Sequence, residues 1–152
     1  MKIVVANDHG GINLKNAVIK HLTKKGIECV DYGYQPGGEP NPDYADFAIP
    51  ACQSILDGDC DLGILICGTG IGMSIIANKI KGIRCGHCHD TFSARMTRNH
   101  NHANVIAFGE RCIGEGLALD IVDAFLGAEP TDEERHVRRV GKIKDLENKN
   151  FK

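Results

Sequence analysis

Short apolar runs alternate along the chain with stretches of helical period. Lys2–Ala6 (KIVVA) is a β-branched run ending in Asn7-Asp8-His9-Gly10-Gly11, as a buried strand ends in a turn. Leu14, Ala17, Val18, His21 and Leu22 then share one helical face, and Gly26 stands where a helix C′ residue belongs. Ile27–Asp31 reads as a strand leading into an internal loop over 33–42 with three prolines and three glycines. The pattern next predicts a helix over Tyr44–Leu56, a strand over Leu62–Ile66 and a helix over Ile71–Lys79. A strand over Ile83–Cys88, a helix from Thr91 to about Arg98 capped by Asp90, and a strand over Asn104–Phe108 follow. Ile113, Leu117, Ile121 and Phe125 recur every four residues and mark a helix that Gly127 ends. Thr131-Asp-Glu-Glu134 reads as a capping box opening a last helix over about 131–148, with apolar positions 137, 140, 143 and 146. Five short strands alternating with helices mean βαβ units and a parallel sheet covered on both faces, an α/β sandwich in one domain over 1–152. Such sheets bind ligands outside the carboxyl ends of their strands, which selects the loops 7–11, 67–72 and 99–104.

Composition narrows the function classes. The 152 residues are 42% hydrophobic and 25% charged, an ordinary globular balance. A formal net charge of -2 provides no basic field for nucleic acid. No apolar run approaches the roughly 18 residues that span a bilayer, and Met1-Lys-Ile-Val-Val-Ala-Asn-Asp8 turns polar too soon for a signal peptide. A cytoplasmic protein is expected. The seven cysteines are odd in number and irregularly spaced, which argues for reduced thiols rather than a disulfide framework. Cys85, His87, Cys88 and His89 have zinc-ligand chemistry, but alternation along a strand sends neighbours to opposite faces, so no metal site is expected.

The strongest local signal is Cys67-Gly68-Thr69-Gly70-Ile71-Gly72, between a strand and a helix. Its alternate glycines allow close backbone approach, and the helix start offers free N–H groups to an oxyanion or phosphate. It matches neither the Walker loop nor G-x-G-x-x-G. Cys67 ends the strand beside that helix start, where thiolate is favoured. Asp8-His9 and His100-Asn101 add proton-moving and hydroxyl-binding groups, expected on the same edge. Arg135 and Arg139, at i and i+4, project from one face of the last helix as a phosphate grip that Arg111 could join.

Five blocks, in order, carry a resemblance over essentially the whole chain. They are Asn-Asp-His-Gly-Gly near the start, Ile-Leu-Ile-Cys-Gly-Thr-Gly-Ile-Gly with Ala-Asn-Lys79 behind it, Arg98-Asn-His-Asn101 with Asn104-Val, Phe-Gly-Glu-Arg111, and Arg135-His-Val-Arg-Arg139. The chain resembles the ribose-5-phosphate isomerase B family, which includes galactose-6-phosphate isomerase subunits. That resemblance implies a Rossmann-like α/β/α sandwich with five parallel strands, and a homodimer or tetramer whose active sites draw on two subunits. It implies metal-free, cofactor-free interconversion of ribose 5-phosphate and ribulose 5-phosphate. Carried onto this chain, Cys67 is the base acting through a cis-enediolate, with Thr69 supporting it. The segment Gly68, Thr69, Gly70, Ile71 and Gly72 holds the oxyanion. His100 opens the sugar ring, and Asp8 and Asn101 handle hydroxyls. His9, Arg111, Arg135 and Arg139 bind phosphate. Some members use an acidic base elsewhere; this chain has the cysteine. Two other readings stay open: an isomerase of six-carbon sugar phosphates such as allose or galactose 6-phosphate, and a non-catalytic sugar-phosphate binding module. His102 and the Cys85–His89 cluster match no functional element of the family.

Overall fold

The computed structural model describes residues 1–38 and 42–151. Strands β1 (Lys2–Asn7), β2 (Glu28–Asp31), β3 (Leu62–Cys67), β4 (Cys85–His87) and β5 (Val105–Gly109) form one parallel sheet in the order β2-β1-β3-β5-β4. The helices are α1 (Ile12–Lys24), α2 (Tyr44–Leu56), α3 (Ile71–Ala77), α4 (Thr91–Asn101), α5 (Glu115–Leu126) and α6 (Glu134–Asn150). The loop expected over 33–42 lies partly outside the described residues. None of the described helices is long and apolar enough to cross a membrane.

Alternation along the strands builds two cores. Ile3, Val5, Ile64, Ile66, Ile106 and Phe108 face Leu14 and Val18 of α1 and Ile121 and Phe125 of α5. On the other face, Val4, Ala6, Leu65, Val105 and Ala107 meet Ala48, Ala51 and Cys52 of α2 and Met73 and Ala77 of α3. The result is the α/β sandwich that the sequence pattern predicts, in the Rossmann-like three-layer α/β/α form that the resemblance implies. Each buried Ile or Phe side chain contributes about 1.5–3 kcal/mol relative to exposure.

The chain leaves β1 for α1 on one face and β3 for α3 on the other. A crevice therefore opens between the carboxyl ends of these two adjacent strands, as at any topological switch point. The register Asn7↔Ile66 and Cys67↔Gly109 brings the ends of β1, β3 and β5 to one edge.

Several elements depart from expectation. α5 turns Ala118, Ile121, Val122 and Phe125 inward, while Leu117 is exposed and Ile113 precedes the helix. A strict four-residue repeat drifts by about 40° per step, so it cannot stay on one face. Asp90 caps α4 by accepting the N–H of Ser93 at 2.7 Å, and α4 runs on to Asn101 because no breaker stops it earlier. The capping box does not form. Thr131 donates its own N–H to Asn99 O, which holds it in the connecting segment, and α6 starts at Glu134 with Glu133 as N-cap. The apolar stripe of α6 is not a buried one either. His136 and Val140 face inward, while Val137, Ile143 and Leu146 stay exposed.

Candidate active site

The crevice between β1 and β3 holds a cavity of about 270 Å³ lined by Asp8, His9, Cys67, Thr69 and Arg111. Cys67 ends β3, and its nearly buried Sγ accepts the N–H of Gly70 at 3.0 Å. The turn that permits this needs glycine: Gly70 has φ +79°, and a Cβ there would lie 2.6 Å from the Phe108 backbone. Thr69 Oγ1 accepts the N–H of Ile71 at 3.3 Å. The helix beyond is only seven residues long, so the directed amide bond, more than a helix dipole, acts on the thiol. A Cβ on Gly68 would meet Arg111 Cζ at 3.3 Å, which shows how closely the guanidinium covers the loop.

Asp8 Oδ1 accepts the N–H of Gly10 at 2.8 Å and so caps the tight turn His9–Gly11. Two neighbours of this arrangement escaped sequence reasoning. Tyr44, the first residue of α2, walls the cavity, its ring lying within 2.9 Å of where a Gly72 Cβ would stand. Glu110 accepts the N–H of Leu14 at 2.9 Å and Asn13 Nδ2 at 2.8 Å, supplying the N-terminal cap that Gly11 has no side chain to give. An aromatic after a Pro/Gly loop and an acid after a strand were the only signals for either.

His100 and Asn101 do not join this cavity. A segment that enters a parallel strand lies at its amino end, whereas ligand crevices lie where strands exit. Asn104 O accepts the N–H of Gly63 at the start of β3, and Asn104 Nδ2 donates to Gly82 O before β4. Residues 99–104 are thus at the amino edge, separated from Cys67 by the length of β5, about 15 Å or more. The expectation that all three loops share an edge is corrected. Arg135 and Arg139 go with His100, so Arg111 does not join them within one chain.

This second group is well ordered by its own contacts. The rings of His100 and His136 stack at 4.1 Å and 7°. His136 is 4% exposed, and its Nε2 has no hydrogen-bond partner among the described residues. Burial, with the His100 ring and the Arg135 guanidinium, pushes its pKa below the usual histidine value. Arg135 Nε donates to Glu133 Oε2 at 2.9 Å, and Arg138 pairs with Glu134 at 3.0 Å. Arg139 makes no ion pair among the described residues. His102 is a left-handed residue, φ 52°, that ends α4 and places Nε2 2.9 Å from Thr131 O. Its part is to tie α4 to the segment before α6.

The Cys-His strand is split by the sheet. Cys85 packs with the α2/α3 core and Cys88 with the α1/α5 core. Burial, with the Asp90 carboxylate adding to it, pushes the Cys88 thiol up to about 12. Among the described residues no group of three or more His, Cys, Asp or Glu is arranged to hold a metal ion.

The ribose/galactose isomerase family model matches residues 3–143. D-erythrulose-4-phosphate isomerase of Pectobacterium atrosepticum is 49% identical over 129 residues, 85% of this chain and 84% of that protein. Ribose-5-phosphate isomerase B of Escherichia coli is 43% identical over 146 residues, 96% of each chain. The solved ribose-5-phosphate isomerase B of Clostridium thermocellum superposes with a TM-score of 0.91 at 48% identity, covering 98% of this chain and 99% of that one.

Proposed function

The chain belongs to the ribose/galactose isomerase family, and from that premise we propose that it interconverts D-ribose 5-phosphate and D-ribulose 5-phosphate. Cys67 takes the proton from C2 of the open aldose and returns it to C1. The negative charge on the enediolate oxygens is met by the backbone amides of the Gly68–Gly72 segment that have no other acceptor among the described residues, those of Gly68, Thr69 and Gly72, while the Gly70 N–H serves Cys67 Sγ and the Ile71 N–H serves Thr69 Oγ1. Thr69 Oγ1 steadies the start of α3, and Asp8 and Asn101 hold sugar hydroxyls. His100 moves the proton between the anomeric hydroxyl and the ring oxygen, a separate task because the aldose is mostly a closed ring. His9, Arg111, Arg135 and Arg139 grip the phosphate, so that binding far from C1 and C2 positions the reacting carbons. The reading uses no metal or organic cofactor.

The observation that carries it is the Cys67 Sγ to Gly70 N–H contact in a cavity that Arg111 and His9 border. The remaining groups lie at the other edge of the same chain, so the reaction needs a second copy. In the homodimer we infer, His100, Asn101, Arg135 and Arg139 of one protomer complete the cavity of its partner. Exposed Ile71 and Ile75 on α3 and Phe92 on α4 offer apolar surface for that association.

The test is Cys67→Ala with a panel of four-, five- and six-carbon sugar phosphates. The variant should lose solvent-deuterium exchange at C1 and C2 while inorganic phosphate still inhibits or binds as in the wild type. Normal exchange would remove Cys67 from the mechanism. The erythrulose-4-phosphate relative, at 49% identity, favours a four-carbon substrate as the second reading. Preference within the panel decides between these and the six-carbon alternative, and no turnover of any member would leave a binding module.

A further inference from the structure

The proposed reaction leaves the Cys85–His89 motif unused, yet one of its side chains touches the catalytic loop. We propose that His87 is a positioning residue that sets Cys67 through the Thr69–Gly70 peptide. His87 ends β4 opposite Ala107 of β5, at the edge where the loop after β3 turns. Its Nε2 lies 2.9 Å from Thr69 O. A carbonyl oxygen only accepts, so Nε2 carries the hydrogen and donates it. The Thr69 carbonyl and the Gly70 N–H are the two ends of one planar unit. That N–H is the group that donates to Cys67 Sγ at 3.0 Å. The imidazole, the peptide and the sulfur form one chain of donors and acceptors. Holding the carbonyl fixes the plane, and polarising it strengthens the N–H as a donor to the thiolate.

The neighbouring peptides are held differently. Arg111 N–H donates to Gly68 O and Ser74 N–H to Gly70 O, both at 3.0 Å and both from backbone. Among the described residues, the only other donor near Thr69 O is Cys112 Sγ, at a long 4.0 Å. The His89 ring packs edge-on against His87 at 4.3 Å and 69°, which restrains its rotation. Replacing His87 therefore frees one peptide, the one that faces the sulfur. For catalysis, this inference rests on Cys67 being the base.

The experiment compares His87→Asn with His87→Gln. Gln sets an amide nitrogen near the position of Nε2, whereas Asn stops at the position of Nδ1 and cannot reach Thr69 O. Alkylation of Cys67 by iodoacetamide at pH 7 is followed by mass mapping of its peptide, beside kcat and the inhibition constant of inorganic phosphate. His87→Asn should slow Cys67 alkylation and turnover by about tenfold each, with the phosphate constant unchanged, and His87→Gln should restore most of both. Alkylation at or above the wild-type rate in His87→Asn would overturn the proposal, as would equal losses in the two variants. Slowed alkylation with unchanged kcat upholds the coupling and unseats Cys67 as the base, so the two failures are told apart. Thermal melts of both variants confirm that folded protein is compared.

Discussion

At the residue scale, the chemistry divides between a sulfur that faces an amide and an imidazole that faces another imidazole. The proposed mechanism asks Cys67 and His100 for different proton transfers, and their separation makes the division testable. Ribulose 5-phosphate cannot close to a furanose through its ketone, because O5 is phosphorylated. His100→Asn should therefore lower isomerisation of ribose 5-phosphate by about a hundredfold or more, while exchange of the ribulose 5-phosphate C1 proton with solvent stays near wild type. Following deuterium uptake by NMR beside net isomerisation reads both. If exchange falls as far as isomerisation, His100 has no separate ring-opening task. The stacked, nearly buried His136 keeps the His100 ring in one plane, so an exposed-helix view of this region misses why the ring is ordered.

At the element scale, α1 depends on distant help. Its N-terminus has no side-chain cap of its own, and Glu110, 96 residues from Leu14, provides one from the end of β5. Glu110→Ala should cost about 1–2 kcal/mol in urea denaturation, because two hydrogen bonds at a helix start are lost together. It should also lower kcat/KM, since the Asp8–Gly10 turn leads directly into that helix. An unchanged denaturation midpoint would show that water replaces Glu110 without loss. The inward face of α1 was legible as Leu14, Val18 and Leu22, but Lys15 was not. Its ammonium is buried by a 2.8 Å ion pair with Asp31 of β2, and helical period alone carries no information about such a partner.

For the whole molecule, the proposed reaction means that one chain holds two incomplete halves of the site, one at the carboxyl and one at the amino ends of its strands. In a homodimer with shared sites, Cys67→Ala and His100→Asn are defective in different halves. Unfolded together and refolded as a random mixture, half of the dimers would be hybrids, each with one intact site. The mixture should recover about a quarter of wild-type activity. Recovery no greater than the sum of the separate variants would place both groups in a single chain's site, against the positions described, or exclude the dimer.

Much of this was readable from the residues in order. Apart from Lys2 at the start of the first, runs such as KIVVA and LGILI have no polar position for a solvent face, and the β1–α1 and β3–α3 junctions announce themselves through glycine. The order of elements and the two-sided sheet follow from periods of two and 3.6, which are local properties of the backbone. The five blocks located Asp8, His9, the Cys67–Gly72 loop, His100, Asn101 and the arginines as residues, without saying which of them meet. That was decided by the tertiary structure alone. Whether a loop lies at the ligand edge depends on whether the chain there leaves the sheet or enters it, and residues 99–104 enter it. The order β2-β1-β3-β5-β4, which puts the crevice between β1 and β3 and brings His87 beside Thr69, is a matter of how crossovers pack. Contacts between positions far apart in sequence, such as Glu110 with Leu14 or Tyr44 against Gly72, arise only when both faces of the sheet are buried at once. Local periodicity determined the layers; simultaneous burial of those layers determined the neighbours.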